Sequence, residues 1–249
     1  MAHQIVLYDM PTKVGVFSMN TWRTRYALTY KGLSFTTIWV ELPDIERELM
    51  AVGAPPSGKW EDGRPKYTVP TIFDPSTSKY ITDAHEIARY LDKTYHDRPT
   101  LFPHGTVGLQ RVFVDALFQK LVLPAFTSVM EGLFALLHEP SREYFRETRE
   151  KTFGRTFEEM WNDKAAVEAA WKGMRAGLDW LETTIQENGD DSAVYVLGGD
   201  APVDADFVVV AVFHWFSKVS VEHEKVLQEA NGGRWARLIE SVRQYRKGN

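Results

Sequence analysis

The chain has no cysteine among its 249 residues, which excludes disulfide frameworks, thiolate metal sites and dithiol redox chemistry. Any sulfur chemistry must enter on a bound thiol. A large excess of basic or acidic residues is also lacking. The 29 basic residues are dispersed among 34 acidic ones for a net charge of -5, so there is no electrostatic footprint for nucleic acid or an anionic membrane. The longest apolar run, residues 207–216, is about half of the roughly 20 residues that a bilayer crossing needs. It reads as a buried core helix, and no membrane span is expected. The seven histidines show neither the His-Glu-x-x-His spacing nor clustering with carboxylates, so no metal is expected. No repeat or low-complexity tract is visible. Residues 1–5 lack a basic region followed by an apolar stretch, and the cytosol is the expected compartment.

With 44% hydrophobic residues the chain can build a core in one or two domains. Its pattern changes near residue 95: strand-like runs alternate with helical ones before it, and helical periodicity dominates after it. Strands are expected at 5–8 and 35–40 and as a hairpin at 71–73 and 79–82, with helices at 20–31, ending at Gly32, and at 43–52. The segment 53–66, with three prolines and three glycines, reads as loop. Asp83 opens a further helix, with Glu86 completing a capping box. Together these elements predict an α+β chain: a βαβαββα domain over 1–94, a linker at 95–105 and an all-α domain over 106–249. In the latter a long helix kinks near Pro124, and further helices span about 142–162, 165–188, 205–217 and 235–246.

Ser18 stands between the first strand and the first helix, in Val-Gly-Val-Phe-Ser-Met-Asn-Thr-Trp-Arg-Thr-Arg (14–25). A hydroxyl there either caps the helix or donates to a sulfur held at its positive end, favouring thiolate over thiol. Asp83, Ala84 and His85 mark the start of another helix, where free backbone donors attract an anion such as a carboxylate. Asp83 by itself reads first as the cap of that helix, and the two roles are compatible.

Three segments occur in a telling order: Ser18-Met19-Asn20-Thr21-Trp22-Arg23, then Tyr67-Thr68-Val69-Pro70-Thr71-Ile72, then Ile81-Thr82-Asp83-Ala84-His85-Glu86-Ile87-Ala88-Arg89-Tyr90-Leu91. They resemble the thioredoxin-like glutathione domain of serine-type glutathione transferases, whose signature is Ser-x-x-x-Trp-Arg. The zeta class, bacterial β-etherases and a fungal class related to them share it, and the fungal class is the most alike. The resemblance covers roughly the first 95 residues and continues through Gly199-Asp200-Ala201-Pro202 and Ala205-Asp206-Phe207.

The resemblance implies glutathione as co-substrate. Ser18 is then the thiolate-stabilising donor, Asn20 and Thr21 are second donors, and Trp22 and Arg23 orient the helix. Val69-Pro70, preceded by Thr68, is where the family has a cis peptide bond, with the backbone of Val69 turned out to pair with the peptide of glutathione. Asp83 and Ala84 would seat the γ-glutamyl group, and Lys59 the glycyl carboxylate. His85 is either a ligand-facing donor or a surface residue. The family usually has Ser at position 84, so the hydroxyl that would bond the carboxylate is missing here. Asp206 is implied to accept backbone hydrogen bonds at a buried helix start, with Asp204 standing in for the Ser or Thr replaced by Val203. A homodimer is implied as well, with small aromatic or phenolic second ligands between the domains, near Met19, Phe118, Leu121, Val122 and Phe126. The reaction is either conjugation, aryl-ether cleavage or peroxide reduction; the rival is a polyphenol-binding protein without catalysis.

Overall fold

The structure is a computed structural model that describes residues 4–189 and 193–246; the expected domain limits at 1 and 249 lie outside the described residues. The chain begins with β1 (Ile5–Asp9), α1 (Met19–Tyr30), β2 (Phe35–Trp39) and α2 (Ile45–Ala51). After a small hairpin of β3 (Gly58–Lys59) and β4 (Pro65–Lys66) come β5 (Thr71–Asp74), β6 (Lys79–Thr82) and α3 (Ala84–Thr94). Four strands form one mixed sheet in the order β2-β1-β5-β6, with β1 parallel to β2 and antiparallel to β5. This is the expected βαβαββα order with one addition, because the stretch 53–66 is not all loop. Its ladder bonds run through Ser57 to Lys66 (2.8 Å) and Trp60 to Arg64 (2.9 Å). Pro65 therefore sits at a position where its missing N–H is not called on.

From residue 107 onward every described regular element is helical. α4 (Val107–Leu117) runs through one π-turn (Phe118–Val122) into α5 (Leu123–Leu136). The widened turn lies just before Pro124 and absorbs the backbone bond that proline cannot make. The composite helix Val107–Leu136 is long and apolar enough to cross a membrane, contrary to the expectation of no span, because its apolar residues are interspersed with polar ones rather than forming one run; it packs against α8 (Lys164–Gln186) and α9 (Asp204–Val219). Contact with α8 is backbone-close. A Cβ added at Gly177 would lie 2.6 Å from the Lys120 carbonyl oxygen, and one at Gly173 would lie 2.7 Å from Pro124.

The helix expected over 142–162 is two, α6 (Glu139–Phe153) and α7 (Phe157–Trp161). Gly154 ends the first in the left-handed region, and Thr156 starts the second in a reciprocal cap with Glu159. A helix not expected, α10 (Val221–Glu229), follows the Ser220 cap, and α11 (Arg234–Ser241) ends before the expected 246.

One continuous core joins Leu7 and Ile72 of the sheet, Tyr26 and Leu28 of α1, and Ile87 and Leu91 of α3 to α9. Residues 204–216 are buried without exception, as expected for the longest apolar run. The opposite face of the sheet is covered through Tyr8, Val40, Ile45, Leu49 and Ala54.

Candidate active site

Strand register collects the implied residues at one end of the sheet. Tyr8 of β1 lies opposite Thr71, and Thr71 opposite Thr82. The segment leading to Ser18, the Val69–Pro70 pair and Asp83 therefore all leave the sheet at the same end. Buried Asp9 anchors that end, its carboxylate accepting from Met10 N (2.7 Å) and from Arg25 Nε (3.1 Å) and Nη2 (3.0 Å).

Ser18 is half-buried immediately before α1, and its side chain makes no capping bond. Its carbonyl accepts from Trp22 N (2.9 Å) and Thr21 Oγ1 (3.0 Å). Among the described residues the Ser18 hydroxyl is thus uncommitted at a helix start. Thr21, implied as a second donor, is buried and its hydroxyl is spent on that carbonyl. Asn20 is exposed in the first turn of the helix.

The Val69–Pro70 peptide is cis. Thr68 offers its carbonyl to Thr71 Oγ1 (3.0 Å), and the Thr71 and Thr82 hydroxyls bond each other at 2.9 Å. Neither backbone polar group of Val69 has a partner among the described residues, so an extended peptide finds an unpaired donor and acceptor there.

Asp83 adopts φ 82°, a conformation rare for a residue with a side chain. Its N–H reaches the Pro70 carbonyl (3.3 Å), and its Oδ1 accepts from the N–H groups of His85 (2.9 Å) and Glu86 (3.2 Å). The expected capping box is therefore half made. Glu86 turns outward to a salt bridge with Arg89, because the positive φ of Asp83 spends its N–H on Pro70. Ala84 is 3% exposed, and its amide has no partner in the described chain.

His85 corrects the expectation that its side chain faces either ligand or solvent. It is 6% exposed, packs edge-on against Phe102, and its Nδ1 lies 3.1 Å from Nη2 of Arg23. Burial, and then the Arg23 charge, hold its pKa below the ordinary value. Arg23 is in turn bonded to Asp204 through Nε (3.0 Å) and Nη2. Asp204 consequently does not substitute for the missing cap at Val203. Asp206 makes the other half of the reciprocal cap, accepting from Val196 N (2.7 Å) and Val203 N (2.8 Å), while its own N–H reaches the Val203 carbonyl (3.1 Å). Nothing in local spacing announces the Arg23–Asp204 contact, since its partners lie 181 residues apart.

Lys59 is exposed on β3 with no ion-pair partner among the described residues. The helical domain meets the loop before Ser18 at the end of α5, where Lys13 bonds the carbonyls of Ala135 (2.7 Å) and Leu136 (3.0 Å). Nearby, Glu41 accepts from Ser141 Oγ and pairs with His138 Nδ1 (2.9 Å). The expected lining residues Leu121 and Val122 are closed into the core, and Phe126 lies against Phe153. Met19 and Phe118 remain half-buried. At 1.5 Å of rise per residue, residues 121 and 136 are about 22 Å apart along the helix, and the loop contact falls at the later one. A separate open groove between α8 and α10, lined by Trp161, Trp171 and Arg175 among others, contains none of the residues above.

Residues 17–94 match the family model of the glutathione S-transferase N-terminal domain, and residues 108–245 that of the glutathione S-transferase C-terminal domain. The glutathione S-transferase-like protein ustS of Aspergillus flavus is 29% identical, over 98% of this chain and 90% of that protein. The structure of glutathione transferase GSTFuA3 from Phanerochaete chrysosporium superposes with a TM-score of 0.92 at 34% identity, over 99% of each chain. Glutathione S-transferase CsGST63524 of Ceriporiopsis subvermispora, solved in complex with glutathione, gives 0.92 at 35% identity, again over 99% of each.

Proposed function

The chain belongs to the glutathione transferase family, and from that premise we propose that it binds glutathione at this end of the sheet and delivers it as thiolate to a small hydrophobic electrophile. Ser18 donates its hydroxyl hydrogen to the sulfur, and the start of α1 adds its positive end. Val69 pairs with the cysteinyl backbone. The Ala84 amide meets the γ-glutamyl carboxylate, Asp83 takes the ammonium of the same unit, and Lys59 reaches the glycyl carboxylate. Asn20 is the exposed second donor beside the sulfur. The thiolate then forms the S–C bond, and the electrophile either expels its leaving group with the bonding pair or, as for an isothiocyanate, takes up a proton on nitrogen.

The observations that carry this reading are the Ser18 hydroxyl at the head of α1 and the Val69 backbone, both without a partner among the described residues. Because the chain has no cysteine, the nucleophilic sulfur must belong to the bound thiol. The reading places the protein with the serine-type transferases. A homodimer goes with it, supported by Leu109 and Val112, which stand 60% and 66% exposed one turn apart on α4. A second reading, polyphenol binding with little catalysis, draws on Ala84, whose missing hydroxyl removes about 0.5–1.5 kcal/mol of glutathione affinity.

Ultraviolet difference titration of glutathione against pH, in wild type and Ser18→Ala, decides between them. A free thiol has a pKa of about 8.5. A lower value for the bound thiol, lost in Ser18→Ala, is the expected result. Absence of any glutathione signal in wild type would refute the transferase reading and leave the polyphenol-binding one.

A further inference from the structure

Arg23, Asp204 and His85 are buried together where α1, α3 and the first residue of α9 meet. Arginine only donates, so Nδ1 of His85 accepts and the ring proton resides on Nε2. A buried ion pair adds little net stability over apolar packing. What it does supply is a fixed separation between the elements it joins. Arg23 is five residues beyond Ser18, and His85 adjoins Ala84. The fixed separation is therefore between the two helix starts at the candidate site.

Such a strap answers a specific need. Ala84 has no hydroxyl that can swing toward a carboxylate, so a ligand there must be met by a backbone amide that cannot adjust. The φ of 82° at Asp83 is sparsely populated without a holding environment. The Asp83 carboxylate holds the first turn of α3 through His85 N and Glu86 N, and Arg23 holds the same turn through the His85 ring.

We propose that Arg23 is a positioning residue: by bridging Asp204 and His85 it sets the spacing between the Ser18 hydroxyl, which meets the glutathione sulfur, and the Ala84 amide, which meets the γ-glutamyl carboxylate. The inference rests on the transferase reading above. Its test uses S-methylglutathione beside glutathione, because the thioether occupies the γ-glutamyl seat with no thiol to ionise. His85→Leu removes the α3 arm and is expected to weaken S-methylglutathione about tenfold. His85→Gln keeps an acceptor toward Arg23 and restores affinity to within about threefold of wild type. Arg23→Lys, which loses the planar fork, weakens S-methylglutathione and also raises the pKa of bound glutathione toward about 8.5.

Thermal unfolding of each variant establishes that it is folded at the temperature of the titration. Should Arg23→Lys not fold, the His85 pair carries the test. Folded His85→Leu with wild-type affinity for S-methylglutathione, or His85→Gln no better than His85→Leu, overturns the proposal while wild-type glutathione binding leaves the transferase reading standing. Failure of wild type to bind glutathione overturns both.

Discussion

Asp206→Asn isolates a contest between two forces on one carboxylate. Asp206 is fully buried, and burial raises its pKa from 3.8 to about 7, against the opposing pull of the Val203 and Val196 amides. An acid whose folded pKa exceeds its unfolded one stabilises the fold most below the unfolded value, and that stability is lost as pH rises through the folded value. At about 1.4 kcal/mol per pKa unit, Asp206 removes about 3 kcal/mol of stability between pH 5 and 7. Two histidines act with the opposite sign in the same window. His214 is pushed down to about 3 and His223 to about 4, chiefly by burial, so each loses stability as pH falls below about 6.5.

The raw wild-type curve therefore mixes both signs, and the informative quantity is the difference between wild type and Asp206→Asn. Urea unfolding at steps between pH 5 and 8 should show wild type losing about 3 kcal/mol relative to the variant as pH rises. The variant keeps one acceptor for the two backbone donors and remains folded. A flat difference, or one that grows in favour of wild type with pH, would mean that the two amides overcome desolvation, and would refute the reasoning.

Replacing both partners of the Tyr26–His214 contact, 2.6 Å apart, with phenylalanine leaves no orphaned polar group. The double variant should lose about 5 kcal/mol less than wild type between pH 6.5 and 3, read as a shift of the acid-unfolding midpoint. Gly177→Ala drives a Cβ into the backbone of the π-turn and should lower stability by about 1–3 kcal/mol in urea, even though alanine is the better helix former.

Local signals carried most of the architecture. Gly32 closes α1, β-branched and aromatic residues mark β2, and Asp74 through Ser78 turn the β5–β6 hairpin. The α6–α7 break was equally legible, since Gly154 and the Thr156–Glu159 pair are ordinary stop and start signals, but the apolar periodicity on either side masked them. The β3–β4 hairpin was hidden by its own prolines, which strands tolerate only where no N–H is needed. Of the candidate site, the positions of Val69–Pro70 and Asp83 follow from their places at strand ends, and that of Ser18 from its place before the first helix. The fates of His85, Asp204, Leu121 and Val122 do not, because each depends on what a distant segment brings against it. Periodicity identifies an apolar face but not whether core or cleft lies beyond it.

The buried stretch 204–216 of α9 has a consequence for how the molecule is made. It is the surface on which Trp22, Tyr26 and Phe17 rest, through His214, Phe207 and Trp215. During synthesis the sheet and α1 emerge first, and the residue that pairs with Arg23 follows 181 positions later. At about 5–20 residues per second, the aromatic face of α1 waits about ten to forty seconds uncovered. The domain that holds the candidate thiol site is thus completed only by a helix from the second domain.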